Sequence, residues 1–156
     1  MQTLTVGDHA PDFSLPDEKG TLHTLSAYKG TWVVVYFYPR DNTPGCTKEA
    51  CSFRDAKSIY DKEGIIVLGI SKDSVISHQK FSTALHLSFP ILSDPTHATI
   101  EAYGAWAPKK FMGREFLGTL RKTILVDPTG IVRKIYDSVD VNTHANDIIK
   151  DIASFV

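Results

Sequence analysis

Cysteine is scarce in this chain: two residues in 156, Cys46 and Cys51. So few cannot build a disulfide scaffold, and none is needed, because a chain of this size buries roughly two thirds of the surface that it exposes when unfolded. Neither sign of charge is in excess. Seventeen Lys plus Arg against eighteen Asp plus Glu leave a formal net charge of -1, so no field of one sign recruits nucleic acid or an anionic membrane. Long apolar runs are missing too. None approaches the ~18 residues of a spanning helix, and Met1 to His9 shows neither a basic nor an apolar leader region. The expectation is a soluble, cytoplasmic protein without nucleic-acid or membrane partners. No G-x-G-x-x-G or G-x-x-x-x-G-K-[ST] run occurs, which leaves nucleotide binding unsupported. His9, His23, His78, His86, His97 and His144 are scattered singly, whereas structural zinc takes four cysteine or histidine ligands at short spacings. Each histidine is therefore read as a surface or core residue, and no metal, haem or flavin is expected.

No repeat, low-complexity tract or linker divides the chain, so residues 1–156 read as one domain with short loops. Three apolar strands stand out, at residues 32–38, 65–70 and 123–126. The last is joined through Asp127-Pro128-Thr129-Gly130 to residues 131–136 as a hairpin. Residues 47–63 carry Ala50, Phe53, Ala56, Ile59 and Tyr60 at helical spacing, with Gly64 as a stop signal. Further helices are expected at 74–87, 97–103 and 143–155, and an extra hairpin at 13–15 and 22–25. Residues 104–118 read as a loop with partial helix in which Trp106, Phe111 and Phe116 act as packing anchors. Strand, helix, strand, helix, then hairpin and helix is a thioredoxin-like order: α/β, a central mixed sheet flanked by helices, with an amino-terminal β-hairpin extension.

The run Pro39-Arg40-Asp41-Asn42-Thr43-Pro44-Gly45-Cys46 begins where the first apolar strand ends. In open α/β sheets, binding sites collect at that carboxyl end. Thr43 before Pro44 is a helix-start signal, a hydroxyl able to accept from a free backbone N–H followed by the residue favoured at the first helical position. Cys46 then falls in the first turn, where free N–H groups and the positive dipole end favour thiolate over thiol.

The pattern Pro-x-x-x-Thr-x-x-Cys at a strand-to-helix junction resembles the active-site motif of the peroxiredoxins. Cys51, after four intervening residues, is similar to the second cysteine of their bacterioferritin-comigratory or Q-type branch. The likeness extends through Val6-Gly7-Asp8-His9-Ala10-Pro11-Asp12-Phe13-Ser14-Leu15 and Phe89-Pro90-Ile91-Leu92-Ser93-Asp94. It implies a peroxidatic Cys46, with Pro39 walling the pocket and Thr43 hydrogen-bonding sulfur and peroxide, and Cys51 as the resolving partner. An arginine is also required, and Arg40, Arg54, Arg114, Arg121 and Arg133 compete. Arg121 is chosen because Arg121-Lys122-Thr123-Ile124-Leu125-Val126-Asp127 resembles the family's segment of Arg, any residue, Ser or Thr, then an apolar strand ending in Asp.

The implied activity is reduction of hydrogen peroxide and organic hydroperoxides through a Cys46 sulfenic acid and a Cys46–Cys51 disulfide. Thioredoxin, or alternatively glutaredoxin, then restores both thiols. An intramolecular partner needs no second subunit, so a monomer is expected, with a weak homodimer as the alternative. Two other classes stand against this reading. A general thiol–disulfide oxidoreductase typically uses Cys-x-x-Cys, and a holdase needs a large apolar surface or a biased composition, whereas 42% hydrophobic and 22% charged is ordinary. The spacing itself sets one requirement. Helical residues five apart are separated by about 7.5 Å of rise and about 140° of rotation, which puts their Cα atoms roughly 8.7 Å apart. A disulfide needs about 6.8 Å or less, so if both cysteines are helical when reduced, the helix must unwind before they join.

Overall fold

The computed structural model describes residues 3–156. Met1 and Gln2, the first residues of the segment read above as lacking a leader, lie outside it. The chain opens with an antiparallel hairpin, β1 (Ser14–Pro16) and β2 (Leu22–Thr24). Its turn is held by Asp17, which accepts from the backbone of Lys19 and Thr21. A 3-10 turn, Leu25–Tyr28, leads into β3 (Trp32–Phe37). Two helices follow, α1 (Pro44–Asp55) and α2 (Lys57–Lys62), then β4 (Ile65–Ser71), α3 (Val75–Leu85), β5 (Ile91–Ser93) and α4 (Ala98–Ala102). The hairpin β6 (Trp106–Phe111) and β7 (Arg114–Thr119) precedes β8 (Lys122–Val126), β9 (Val132–Tyr136) and α5 (His144–Phe155).

The five-stranded sheet has the order β5-β4-β3-β8-β9, with β3 in the middle, parallel to β4 and antiparallel to β8. This is the expected mixed sheet with its amino-terminal hairpin. Successive β3 side chains point to opposite faces. Val34 and Tyr36 join Ala50 and Phe53 of α1, Tyr60 of α2, and Ile148 and Ile152 of α5. Val33, Val35 and Phe37 join Leu68, Ile70, Ile124 and Tyr103 on the other face. Both faces are covered, which is why β3 reads as an unbroken apolar run. Each such side chain contributes about 1.5–3 kcal/mol of burial.

The structure departs from the sequence reading in four places. Instead of one helix running on to residue 63, the chain breaks at Ala56 between α1, which starts at Pro44 as the Thr43-Pro44 signal predicts, and α2. Proline at the first helical position lacks only a donor that would go unused there, so the helix begins with it. Ile59, counted there on the apolar helical face, is 45% exposed. β5 was not anticipated, being three residues long and recognisable only through its pairing with β4. Residues 104–118 are not a loop with partial helix. They form the two-stranded β6–β7 sheet, with Met112 (φ 52) and Gly113 (φ 79) as its turn. Two positive-φ residues match the strand twist of a two-residue hairpin. Phe111 and Phe116 are 69% and 48% exposed and so are not packing anchors, while Trp106 is half-buried with its ring stacked on His97.

The topology decides what meets at the carboxyl end of β3. Because β8 runs antiparallel, its first residue, Lys122, pairs with Phe37, the last residue of β3. Arg121 is thereby delivered to the edge from which the loop carrying Cys46 departs.

Candidate active site

Between β3 and α1 the chain turns sharply, and Asp41 fixes the turn. Its buried carboxylate accepts from Tyr38 Oη at 2.6 Å and Ser77 Oγ at 2.8 Å and pairs with His78 Nδ1 at 2.6 Å, while its own N–H donates to Asp73 Oδ2. His78 Nε2 lies 2.9 Å from the Leu92 carbonyl, which ties the loop to β5. Asp41, Asp73 and His78 bring three potential metal ligands within 4.8 Å of one another, but these atoms are already engaged in the hydrogen bonds that hold the turn. Asn42 takes a left-handed conformation (φ 59) and directs the chain into α1.

Cys46 follows Pro44 and Gly45 in the first turn of α1 and is 2% exposed. Arg121 Nη2 donates to its Sγ at 3.2 Å. The same guanidinium donates through Nη1 to Glu49 Oε1 at 2.6 Å, so it spans a sulfur and a carboxylate one helical turn apart. Gly45 makes room for it: a Cβ there would lie 3.1 Å from Arg121 Nη2. Glu49 is fully buried, and burial pushes its carboxyl up to about 7, against the lowering effect of the Arg121 charge and hydrogen bond. Arg121 itself is held above its ordinary value by Glu49 and the Cys46 sulfur, which outweigh its partial desolvation.

The wall behind the sulfur is aromatic. Tyr36 of β3 stacks on Phe53 at 4.7 Å, and Phe53 meets the His144 ring edge-on. A Cβ on Gly69 of β4 would lie 2.8 Å from Tyr36 Cζ, so only glycine fits beneath that ring. Burial, reinforced by the Glu49 and Cys46 charges, holds the Tyr36 hydroxyl far above its ordinary value. The Tyr36 hydroxyl and Glu49 Oε2 are both buried without a hydrogen-bond partner. Burial likewise pushes His144 down to about 4, so it packs as a neutral ring with Nε2 2.8 Å from Thr123 Oγ1.

Of the residues expected here, Cys46 and Arg121 are in direct contact. Pro39, half-buried, follows Tyr38 at the strand end, and Arg40 is exposed. Thr43 occupies the N-cap position, but its hydroxyl does not cap α1. It donates to the Arg40 carbonyl at 2.9 Å instead. The extended backbone of Thr43 and the imide of Pro44 start the helix without it, which leaves the N–H groups of the first turn free of any side-chain cap. In this arrangement the Thr43 hydroxyl is not hydrogen-bonded to the sulfur. Cys51 lies farther along α1, half-buried, and both cysteines are free thiols.

The sequence reading missed Glu49, Tyr36 and Asp41. A signal existed for Glu49: a carboxylate one turn after Cys46 on an apolar helical face demands a buried cation. Tyr36 and Asp41 carried none, since one lies within an apolar run and the other within a polar turn.

A model of the AhpC/TSA family matches residues 6–135. Peroxiredoxin Bcp of Escherichia coli is 40% identical over 144 residues, covering 92% of this chain and of that protein. Peroxiredoxin Bcp of Bacillus subtilis is 39% identical over 150 residues, 96% of each. Among solved structures, the bacterioferritin comigratory protein of Xanthomonas campestris was trapped in intermediate and ligand complexes that bear on its alkyl peroxide reduction activity. It matches with a TM-score of 0.89 at 36% identity, covering 97% of each chain.

Two outcomes are expected from this geometry. Arg121→Ala should slow the reaction of Cys46 with hydrogen peroxide by about a hundredfold or more, the usual cost of losing one positioned donor, while Arg40→Ala should do far less. Stopped-flow kinetics ranks the two, and the reverse order would assign the wrong arginine. Glu49 generates a pH dependence. A carboxyl raised in the fold stabilises it fully below its unfolded value of 4.5, and that contribution is lost as pH rises to about 7. The stability of the natural protein relative to Glu49→Gln should therefore fall between these limits in denaturant titrations. A pH-independent difference would contradict the buried placement of this carboxyl.

Proposed function

The chain belongs to the AhpC/TSA family as a peroxiredoxin of the Bcp or Q type, and from that membership we propose that it reduces hydrogen peroxide and organic hydroperoxides through Cys46. The observation that carries this reading is the 3.2 Å contact between Arg121 Nη2 and Cys46 Sγ in the first turn of α1. A fixed guanidinium and uncapped N–H groups both favour a sulfur that bears negative charge. The thiolate attacks the terminal peroxide oxygen. The O–O bond breaks, the sulfur becomes a sulfenic acid, and the departing oxygen takes up a proton to leave as water or alcohol. Arg121 is placed to hold the charge that grows on that oxygen without moving, since Glu49 and the first turn already pin it. In this reading Pro39 closes one side of the pocket, and Thr43 turns its hydroxyl from Arg40 toward the bound peroxide.

Cys51 resolves the sulfenic acid. Its thiolate attacks Cys46 Sγ, the S–O bond breaks, hydroxide departs to become water, and a Cys46–Cys51 disulfide forms. Both residues lie within α1, so the spacing requirement derived above applies, and the first turn must open to let them meet. Arg121 then loses both the sulfur and Glu49, and the disulfide emerges from the pocket toward its reductant. A dithiol protein, thioredoxin in preference to glutaredoxin, restores both thiols through a mixed disulfide. With both sulfurs on one helix, a monomer suffices. The cytoplasm is the compartment this cycle requires, because its reducing systems return free thiols. Among the described residues, no helix is long and apolar enough to cross a membrane.

The cysteines separate the two half-reactions. Cys46→Ser should abolish peroxide consumption. Cys51→Ser should consume about one equivalent, accumulate a sulfenic acid on Cys46 and lose thioredoxin-dependent turnover. Peroxide consumption coupled to thioredoxin oxidation measures both, and sustained cycling by either variant would contradict the assigned roles.

A further inference from the structure

Arg54 sits one helical turn beyond Cys51, outside the Cys46 pocket, and is not a free surface charge. Its side chain is 33% exposed. Nε donates to Asp55 Oδ1 at 3.0 Å, and Nη1 crosses to α3 and donates to the Leu85 carbonyl at 2.8 Å. Leu85 ends α3, so its carbonyl has no partner within the helix and lies at the negative end of the helix dipole. A long, flexible cation is thus fixed in place, at an entropy cost that a solvated arginine avoids.

Thr47, Cys51 and Arg54, at i, i+4 and i+7, share one face of α1. Thr47, at the amino-terminal end of that face, borders with α3 a groove of about 740 Å³ that Thr43, Phe81 and Leu85 also line. Cys51 therefore lies between Thr47 and a guanidinium anchored on a second helix. The other charged side chains one turn from it on α1, Lys48 and Asp55, are of opposite sign. Arg54 is held above its ordinary value first by its bond to Asp55 and then, against desolvation, by the Cys51 sulfur and the Asp55 charge.

We propose that Arg54 is the positioning residue of the resolving step: it anchors the second half of α1 on α3 while the first turn unwinds, and it keeps a positive charge one helical turn from Cys51 when this sulfur attacks. The inference rests on Cys51 being the resolving cysteine. It makes Cys46 the mobile partner and Cys51 the fixed one. Resolution then competes with a second peroxide, which converts a waiting sulfenic acid to sulfinic acid by transferring one oxygen and leaving as water or alcohol. Slower resolution means more of that product.

The test compares Arg54→Gln, which keeps a polar N–H donor but no charge, with Arg54→Lys, which keeps the charge. Protein is mixed with peroxide, quenched at millisecond intervals with a thiol-blocking reagent, and its sulfenic, disulfide and sulfinic forms are resolved by mass spectrometry. In the natural protein, a Cys46–Cys51 linked peptide tests the underlying assignment on its own; without it that assignment fails, whatever Arg54 does. Given that peptide, Arg54→Gln should slow disulfide formation about three- to tenfold, through loss of both the anchor on α3 and the nearby charge. Its sulfinic product should rise in proportion, and Arg54→Lys should recover most of the rate. An unchanged rate in Arg54→Gln, or failure of Arg54→Lys to outperform it, would overturn the proposal.

Discussion

One guanidinium is shared between a sulfur and a carboxylate on successive turns of a single helix, and the rest of the site is arranged around that sharing. Arg121 cannot reach both Cys46 and Glu49 unless α1 is helical from its first turn, and a side chain at residue 45 would crowd the guanidinium, which the glycine there avoids. It reaches them at all because β8 lies antiparallel to β3 and brings its amino-terminal end to the edge where β3 finishes. Removing one partner of such a buried pair typically costs about 3–5 kcal/mol, because the other charge is left uncompensated. In the proposed cycle, the contacts that hold the reduced site together are also those that favour a charged sulfur.

That arrangement conflicts with the next step of the cycle. The helix that assembles the pocket carries both cysteines, at a spacing that regular helix geometry keeps too far apart to bond. Opening the first turn loses a few backbone hydrogen bonds, each worth about 1 kcal/mol net. It also releases Glu49, whose burial is unfavourable to its charged form at neutral pH. The closed state thus contains a strained element that favours opening, and Arg121 offsets it only while Cys46 and Glu49 remain on its two arms. Beyond the first turn, Phe53 and Tyr60 pack in the core under α5, where the Tyr60 hydroxyl donates to the Ala145 carbonyl. The division between a labile first turn and an anchored remainder follows from where these aromatics lie.

Much of this was legible in the residues before any coordinates. The unbroken apolar run of β3 announced a central strand, and Thr43-Pro44 announced a helix start that placed Cys46 in the first turn. The choice of Arg121 rested on a likeness of local sequence, and its contact with the sulfur lies between residues 75 apart in the chain, a pairing that no local periodicity encodes. What stayed hidden was of three kinds. Thr43 has the composition of a cap, but its hydroxyl turns back to Arg40, a choice between donating to a nearby carbonyl and accepting from a nearby N–H that composition does not decide. The β6–β7 hairpin alternates weakly because only its base, at Trp106 and Thr119, reaches the core, so Phe111 and Phe116 looked like anchors although both are exposed. Glu49 carried a signal in its place on an apolar helical face, but the identity of its partner stayed hidden, because that arginine comes from the segment just before β8.

The central claim is that forming the disulfide dismantles the first turn of α1. Amide hydrogen exchange, followed residue by residue from 43 to 51 in the reduced protein and after one equivalent of peroxide, tests it most directly. The account predicts slow exchange in the reduced form and markedly faster exchange over this segment in the disulfide form, with Phe53 and Tyr60 protected in both. Equal protection of residues 43–51 in the two forms would contradict it.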